Sequence, residues 1–256
     1  MDDLTAKYEH LKAVLARLGS LIVAYSGGVD SALLLCVAYE VLGSKVLAVT
    51  ADSPSVPRRE IAEARRIAQT IGARHLVMTT EEIQDSNYAS NPTNRCYFCK
   101  SELYSKLAEI TRREKIRYIA NGTNVDDLGD FRPGLQAAAE YEVVSPLKES
   151  GFAKADVREL AKRLHLEIWD KPASPCLSSR IPYSQAVTAQ KLAVIETAEE
   201  YLRGLGIREL RVRHFGKKAR IETPKRDFGL IEQNYNQIIQ KFKIIGFEEI
   251  ELTEFK

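Results

Sequence analysis

Apolar and polar positions change period several times along the chain, and each change predicts an element. Leu4, Tyr8, Leu11, Leu15 and Leu18 recur at helical spacing up to Gly19, which predicts an amphipathic first helix. The stretch from Leu21 to Gly43, LIVAYSGGVDSALLLCVAYEVLG, then has three parts: a short apolar run to Tyr25, a polar turn from Ser26 to Asp30, and an apolar run of helical length. It reads as strand, loop, helix. Val46 to Thr50 is a second strand ending in ADSPS, and Arg58 to Ile71 is a helix with Ile61, Ala64, Ala68 and Ile71 on one face. His75 to Thr79 is a third strand. A loop leads into NRCYFCK, followed by a helix over Lys100 to Lys115 with Leu103, Leu107 and Ile110 inward. Tyr118 to Ala120 is a fourth strand running into the polar segment NGTNVDDLGDFRPG, and Val143 to Ser145 is a fifth. A helix over Lys154 to Leu166 is built on Val157, Leu160, Ala161 and Leu164.

Strands and helices alternating in this way imply βαβ units and an α/β, doubly wound parallel sheet. Ligands of such sheets bind beyond the carboxyl ends of the strands. SGGVDS, TADSPS and NGTNVDD all follow strands, so all three are expected on that edge. After WDKPASPCLSSRIPYS the pattern changes: a helix over Thr188 to Leu205, strands over Glu209 to Phe215 and Lys218 to Thr223, a helix over Arg226 to Lys241, and a strand over Phe247 to Thr253. The expected organisation is a nucleotide domain over 1–170, a junction over 171–185, and a smaller α+β domain over 186–256.

Composition bounds the function classes. With 256 residues, 45% apolar and 28% charged, the chain buries a substantial core. A formal charge of +2 makes no global demand for nucleic acid or an anionic membrane. No run reaches membrane-spanning length, and MDDLTAKYEH is not a signal peptide. Four cysteines, two of them in CYFC, suit thiol chemistry or metal in a cytoplasmic protein better than a disulfide framework. Cys36, within LLLCV, reads as a core thiol.

Four constellations carry candidate chemistry. The paired glycines Gly27 and Gly28 allow close backbone approach, and the helix start behind them suits an anion. The turn lacks the lysine of a GxxxxGK[ST] loop. Asp30, Asp52, Asp126 and Asp127 lie where the phosphates of a bound nucleotide would bring Mg²⁺, a cation that takes carboxylate and phosphate oxygens; the same residues are also common helix caps and turn formers. Cys96 and Cys99 form a CxxC, which alone fits a redox pair, a zinc half-site or a cluster half-site. With the distant Cys176 they make three thiols, a set that suits a [4Fe–4S] cluster with one open iron. In ELRVRHF, Arg211 and Arg213 share a strand face, and Arg220 and Glu222 share a face of the next strand. Aligned guanidinium groups suit a phosphate or carboxylate, and alternation alone equally describes a solvated face.

The segments YSGGVDS, NRCYFCK, NGTNVDDLGDFRPG, WDKPASPCLSSRIPY and RVRHFGKKARIE, spread over most of the chain, together resemble one family: the ATP-dependent sulfur transferases of the LarE type. SGGVDS is shared with all N-type ATP pyrophosphatases, whereas the segment around Cys176 is the most specific. The resemblance implies an adenine nucleotide alpha hydrolase-like fold and a small C-terminal domain for substrate binding and self-association. It implies ATP and Mg²⁺ at Ser26, Gly27, Gly28, Asp30, Ser31, Thr50, Asp52, Gly122, Asp126 and Asp127, and a mononucleotide substrate at Ser179, Arg180, Arg211, Arg213 and Glu222. The family's substrate is a pyridinium mononucleotide whose two carboxylates become thiocarboxylates on the way to the nickel-pincer nucleotide. ATP adenylates a carboxylate, pyrophosphate leaves into the glycine turn, and a sulfur nucleophile displaces AMP. In one branch the cysteine matching Cys176 gives up its own sulfur and becomes dehydroalanine; in the other, three cysteines hold a [4Fe–4S] cluster that binds an extra sulfide. Cys96, Cys99 and Cys176 are all present, which fits the second branch. Two further readings stay open: tRNA thiolation, against which the small net charge argues, and a non-catalytic nucleotide- or metal-binding module.

Overall fold

The apolar runs that read as strands form the inner layer of a parallel sheet. The structure, a computed structural model, describes residues 2–129 and 133–255. It divides into two compact units, Met1–Glu82 with Asn94–Ser174, and Ile83–Thr93 with Pro175–Lys256. In chain order the elements up to the end of the first unit are α1 (Asp3–Leu18), β1 (Leu21–Ala24), α2 (Val29–Leu42), β2 (Val46–Asp52), α3 (Arg58–Ile71), β3 (Arg74–Thr79), α4 (Ser86–Ala89), α5 (Arg95–Glu114), β4 (Tyr118–Ala120), α6 (Pro133–Glu140), α7 (Pro146–Glu149) and α8 (Lys154–Arg163). Of these, α4 belongs to the second unit.

The first unit's sheet has the order β3-β2-β1-β4, and every neighbouring pair is parallel. β1 is central, with Leu21 opposite both Val46 and Tyr118. Successive residues of β1 enter different cores. Leu21 and Val23 pack with α1, α2, α3 and α8, while Ile22 packs with Leu103, Leu107 and Ile110 of α5 and with Ala137 and Ala138 of α6. Helices therefore cover both faces, which explains why β1 and β2 are unbroken apolar runs rather than alternating ones. Because the strands are parallel, the turns after β1, β2 and β4 leave from the same sheet edge.

Three expectations for this unit are corrected. The helix expected from Lys100 begins earlier: α5 starts at Arg95, so both cysteines lie in its first turns. Val143 to Ser145 is not a strand; only an isolated parallel bridge joins Ala120 and Val144. Glu142 with φ 51° bends the chain on one side, and on the other Pro146 opens α7 and offers no N–H to a ladder. The helix expected to Leu166 ends at Arg163. Residues 130–132 of the NGTNVDDLGDFRPG segment lie outside the described residues.

The second unit continues with α9 (Ala189–Gly204), β5 (Arg211–Phe215), β6 (Lys218–Thr223), α10 (Phe228–Gln233), α11 (Tyr235–Ile245) and β7 (Glu249–Glu254). Its sheet runs β5-β6-β7, antiparallel then parallel. Val212, Ala219 and Ile221 face a core with Leu202, Ile207, Phe242 and Phe247, which leaves the arginines of β5 on the other face. The single helix expected over Arg226 to Lys241 is broken at Asn234, whose side chain donates to the Leu230 carbonyl at 2.8 Å in competition with the backbone ladder. Phe247, expected in the last strand, precedes it and is buried in the core. Among the described residues no helix is long and apolar enough to cross a membrane.

Candidate functional site

The glycine turn is closed by its own two serines. Ser31 Oγ accepts from the Ser26 N–H at 3.2 Å and donates to the Gly28 carbonyl at 3.1 Å, while Ser26 Oγ accepts from the Gly28 N–H at 3.3 Å. Gly27 has φ 74°, and a Cβ there would stand 2.9 Å from the Ala64 Cβ on α3, so glycine is required on both counts. Gly28 is the N-cap of α2 and brings no side-chain cap, so the helix start keeps its partial positive charge for an anion. Asp30, in that first turn, accepts from Asn124 Nδ2 at 3.0 Å and pairs with Lys154 Nζ.

Gly122, just past β4, presses against the same helix start. A Cβ on it would lie 2.8 Å from Ser31 N and 3.0 Å from the Asp30 carbonyl carbon, and neither backbone atom can give way cheaply. Gly122→Ala is therefore expected to weaken ATP binding by at least about tenfold and to destabilise the fold by about 1–3 kcal/mol. Gly204→Ala, where nothing lies within 4 Å, is the control. Calorimetric titration with ATP and a melting curve for each variant check this.

The acids expected near Mg²⁺ all have protein partners here. Asp127 closes a capping box on Asn124 at 3.0 Å, and Asp126 accepts from the Lys154 N–H at 2.7 Å. Asp52 pairs with Arg58, whose guanidinium also donates to the Ser53 carbonyl at 2.5 Å. Thr50 is committed as well: its hydroxyl donates to the Tyr25 carbonyl at 2.7 Å. That leaves its oxygen to accept from His75 at 2.8 Å, which makes Nε2 the protonated ring nitrogen. Burial, followed by the nearby Arg65, lowers the His75 pKa and keeps the ring neutral at pH 7.

Cys96 and Cys99 stand three residues apart in the first turns of α5, so the helix repeat sets both thiols on one side. Cys96 is exposed and Cys99 half-buried, and neither is in a disulfide. Cys176 belongs to the second unit, where it is the half-buried residue before a short 3₁₀ turn, Leu177–Arg180. Three thiols outside any disulfide are a donor set of the right chemistry for an iron–sulfur cluster. Among the described residues no three His, Cys, Asp or Glu side chains are grouped to hold a metal ion. Cys36 packs against the first core, where burial pushes its thiol up to about 11, an inert group at neutral pH.

The second unit gathers Ser179, Arg180, Arg211, Arg213 and Glu222 around the Cys176 turn. The Cys176 carbonyl accepts from the Ser179 N–H at 3.0 Å, from Ser179 Oγ at 2.8 Å and from Arg180 Nη1 at 3.3 Å. Arg213 donates to the Ser179 carbonyl at 3.2 Å and to Glu222 Oε1 at 2.6 Å. Burial, and then the charges of Arg180 and Arg213, lower the pKa of Arg211. Arg180 is paired with Glu199 and Arg213 with Glu222, whereas no ion pair is seen for Arg211 among the described residues, which leaves it the guanidinium best placed to receive a phosphate.

Several residues of this arrangement escaped the sequence reading. Glu199 on α9 holds Arg180 at 2.8 Å and also accepts from the Val212 N–H at 3.1 Å; the two side chains are 3% and 2% exposed. Tyr88 bonds Ser178 at 2.6 Å, and Asn91 Nδ2 donates to the carbonyls of Ile181, Pro182 and Gln185, so the Ile83–Thr93 segment pins the chain after Cys176. In the first unit Lys154 and Lys171 both reach the glycine turn, at Asp30 and at the Gly27 carbonyl. No local pattern announces any of these, because each depends on a contact between distant segments.

Comparison with known proteins agrees with this geometry. Residues 15–90 match the asparagine synthase family, and they include the glycine turn with β1, α2, β2 and α3. An uncharacterized protein of Synechocystis sp. is 44% identical over 95% of this chain and 92% of its own length. The pyridinium-3,5-bisthiocarboxylic acid mononucleotide synthase of Lactiplantibacillus plantarum is 36% identical over 98% of this chain and 92% of its own. An uncharacterized protein of Methanocaldococcus jannaschii is 32% identical over 90% and 87%. With a parallel nucleotide-binding sheet, the SGGVDS turn at its carboxyl edge and that identity over nearly the whole of both chains, the protein belongs to the LarE family of ATP-dependent sulfur transferases.

Proposed function

We propose that the chain adenylates the carboxylates of a pyridinium dicarboxylate mononucleotide with ATP and converts them to thiocarboxylates. The observation that carries the substrate reading is that Arg180 and Arg213 bond the turn that holds Cys176, with Arg211 on the same face of β5 as Arg213. A mononucleotide's phosphate answers that charge and places its ring near the thiol. The relative from Lactiplantibacillus plantarum, named for the bisthiocarboxylic acid product, supports the same reading.

The steps follow from the groups present. A carboxylate is a poor electrophile, so its oxygen attacks the α-phosphorus of ATP and the bond to the β,γ-pyrophosphate breaks. The pyrophosphate departs into the Ser26–Ser31 turn, where backbone N–H groups and the α2 dipole stabilise its charge. Asp30, the acid in the first turn behind the glycines, would hold the Mg²⁺ that accompanies ATP in exchange for its contact with Lys154. The acyl adenylate then accepts a sulfur nucleophile, AMP leaves, and one proton is released per sulfide consumed. Cys96, Cys99 and Cys176 would hold a [4Fe–4S] cluster, which when bound supplies a ligated sulfide as that nucleophile. The other source is the Cys176 sulfur itself, lost as the residue becomes dehydroalanine.

ATP–pyrophosphate exchange, measured with and without the pyridinium dicarboxylate mononucleotide, tests adenylation. Exchange that depends on this substrate supports the proposal; exchange that ignores it, or none at all, refutes it. In the same preparation, more than one sulfur transferred per anaerobically purified, brown chain supports the cluster. Loss of the mass of H₂S from the Cys176 peptide supports sacrificial donation.

A further inference from the structure

A lysine reaches the glycine turn from 144 residues further along the chain. Lys171 Nζ donates to the Gly27 carbonyl at 3.3 Å, to Glu60 Oε2 at 2.8 Å and to Glu63. An ammonium has three protons, and each meets an acceptor here. The side chain is 14% exposed, so its charge is held under the turn rather than in solvent. Glu60 and Glu63 lie about one helical turn apart on α3, the helix whose Ala64 faces Gly27. Burial raises the Glu60 carboxyl, but Lys171, Arg59 and Ser174 outweigh it and hold the pKa below the ordinary glutamate value. Glu60 is therefore ionised at neutral pH. Helix α3 supplies both the floor of the turn and the carboxylates that fix the lysine.

The consequence follows from the flat trans peptide. The carbonyl of Gly27 and the N–H of Gly28 belong to one plane and point in opposite directions. Two adjacent glycines leave that plane free to turn over, since neither Cβ resists it. A cation on the carbonyl settles which way the plane faces and polarises the N–H on its far side. That N–H now rests on Ser26 Oγ at 3.3 Å, a long contact that a phosphate oxygen improves upon.

We infer that Lys171 is a positioning residue for the leaving group: it locks the Gly27–Gly28 peptide so that its N–H is presented to pyrophosphate, and does so without touching the phosphate. This rests on reading the turn as the pyrophosphate site. Ser174, three residues on, donates to Glu60 Oε1 at 3.0 Å, so the segment leading to Cys176 is fastened to the same carboxylate that holds the lysine.

The test is calorimetric titration of the full chain and its variants with magnesium pyrophosphate, ATP and AMP. Lys171→Met is expected to weaken pyrophosphate and ATP binding by about 10- to 100-fold, the worth of one hydrogen bond to a charged group, and to leave AMP within about twofold. AMP has no β- or γ-phosphate to reach the turn. Lys171→Arg, which keeps the cation, is expected to recover most of the loss. Glu63→Gln keeps the lysine on Gly27 and removes an anion, so pyrophosphate affinity is expected to equal or exceed that of the unaltered chain; this variant carries the test if Lys171→Met does not fold. Unchanged pyrophosphate binding in Lys171→Met, an equal loss of AMP and ATP, or a large loss in Glu63→Gln each overturns the inference. An unaltered chain that binds neither ATP nor pyrophosphate refutes instead the reading of the turn itself.

Discussion

Cys176→Ala is expected to abolish thiocarboxylate formation, by at least about 10³-fold, while ATP–pyrophosphate exchange stays within about twofold of the unaltered chain. The separation is expected because the surrounding turn grips the backbone of Cys176 and not its thiol. Ser179 and Arg180 donate to the Cys176 carbonyl, and alanine keeps that carbonyl in place. Adenylation draws on the glycine turn of the first unit, and Cys176 belongs to the second. Liquid chromatography with mass detection of the thiocarboxylate, beside the exchange assay, checks both halves. Sulfur transfer surviving in Cys176→Ala contradicts the proposed role whichever source supplies the sulfur. Cys96→Ala and Cys99→Ala then divide the sources: both lose transfer if the three thiols hold a cluster, and both keep a single turnover if Cys176 is consumed.

Arg180→Met is expected to destabilise the second unit by about 3–5 kcal/mol, the usual result of stripping the partner from a buried charge. Glu199 would keep Arg203, 3.8 Å away, and the Val212 N–H, but it would lose the bidentate contact with Arg180 at 2.8 and 3.3 Å. The guanidinium also donates to the carbonyls of Pro175 and Cys176, so the turn before the 3₁₀ segment should loosen with it. Arg180→Met combined with Glu199→Met removes both charges. That double variant is expected to regain much of the stability and none of the sulfur transfer. Urea unfolding followed by circular dichroism measures the first effect. A single variant as stable as the unaltered chain would mean that Glu199 finds another counter-charge.

What could be read in the sequence was whatever local physics decides. β1 and β2 announce themselves because helices cover both faces of the sheet, and their apolar runs are unbroken. α3 carries its buried face at helical spacing, and its predicted bounds coincide with those observed. β5 and β6 show clean alternation because one face meets a core and the other meets charge. The first turns of α5 were missed because Cys96 to Lys100 are exposed or half-buried, and an apolar period starts only at Leu103. Val143 to Ser145 has strand composition, but the bend at Glu142 and the proline at 146 leave it no length to pair. Glu199 looks like any acid on an amphipathic helix until the fold buries it against Arg180. Lys171 is likewise unreadable, because its meaning lies in a carbonyl 144 residues earlier. SGGVDS carries no lysine of its own, and the fold brings Lys154 and Lys171 to that turn from elsewhere.

The most direct measurement of the account is an anaerobic reaction of the reconstituted chain with Mg²⁺–ATP, sulfide and a pyridinium-3,5-dicarboxylate mononucleotide, with AMP and thiocarboxylate quantified together. One AMP is expected for each oxygen replaced by sulfur, with neither product formed when the mononucleotide is left out. AMP released without thiocarboxylate, or thiocarboxylate formed without ATP, would contradict this expectation.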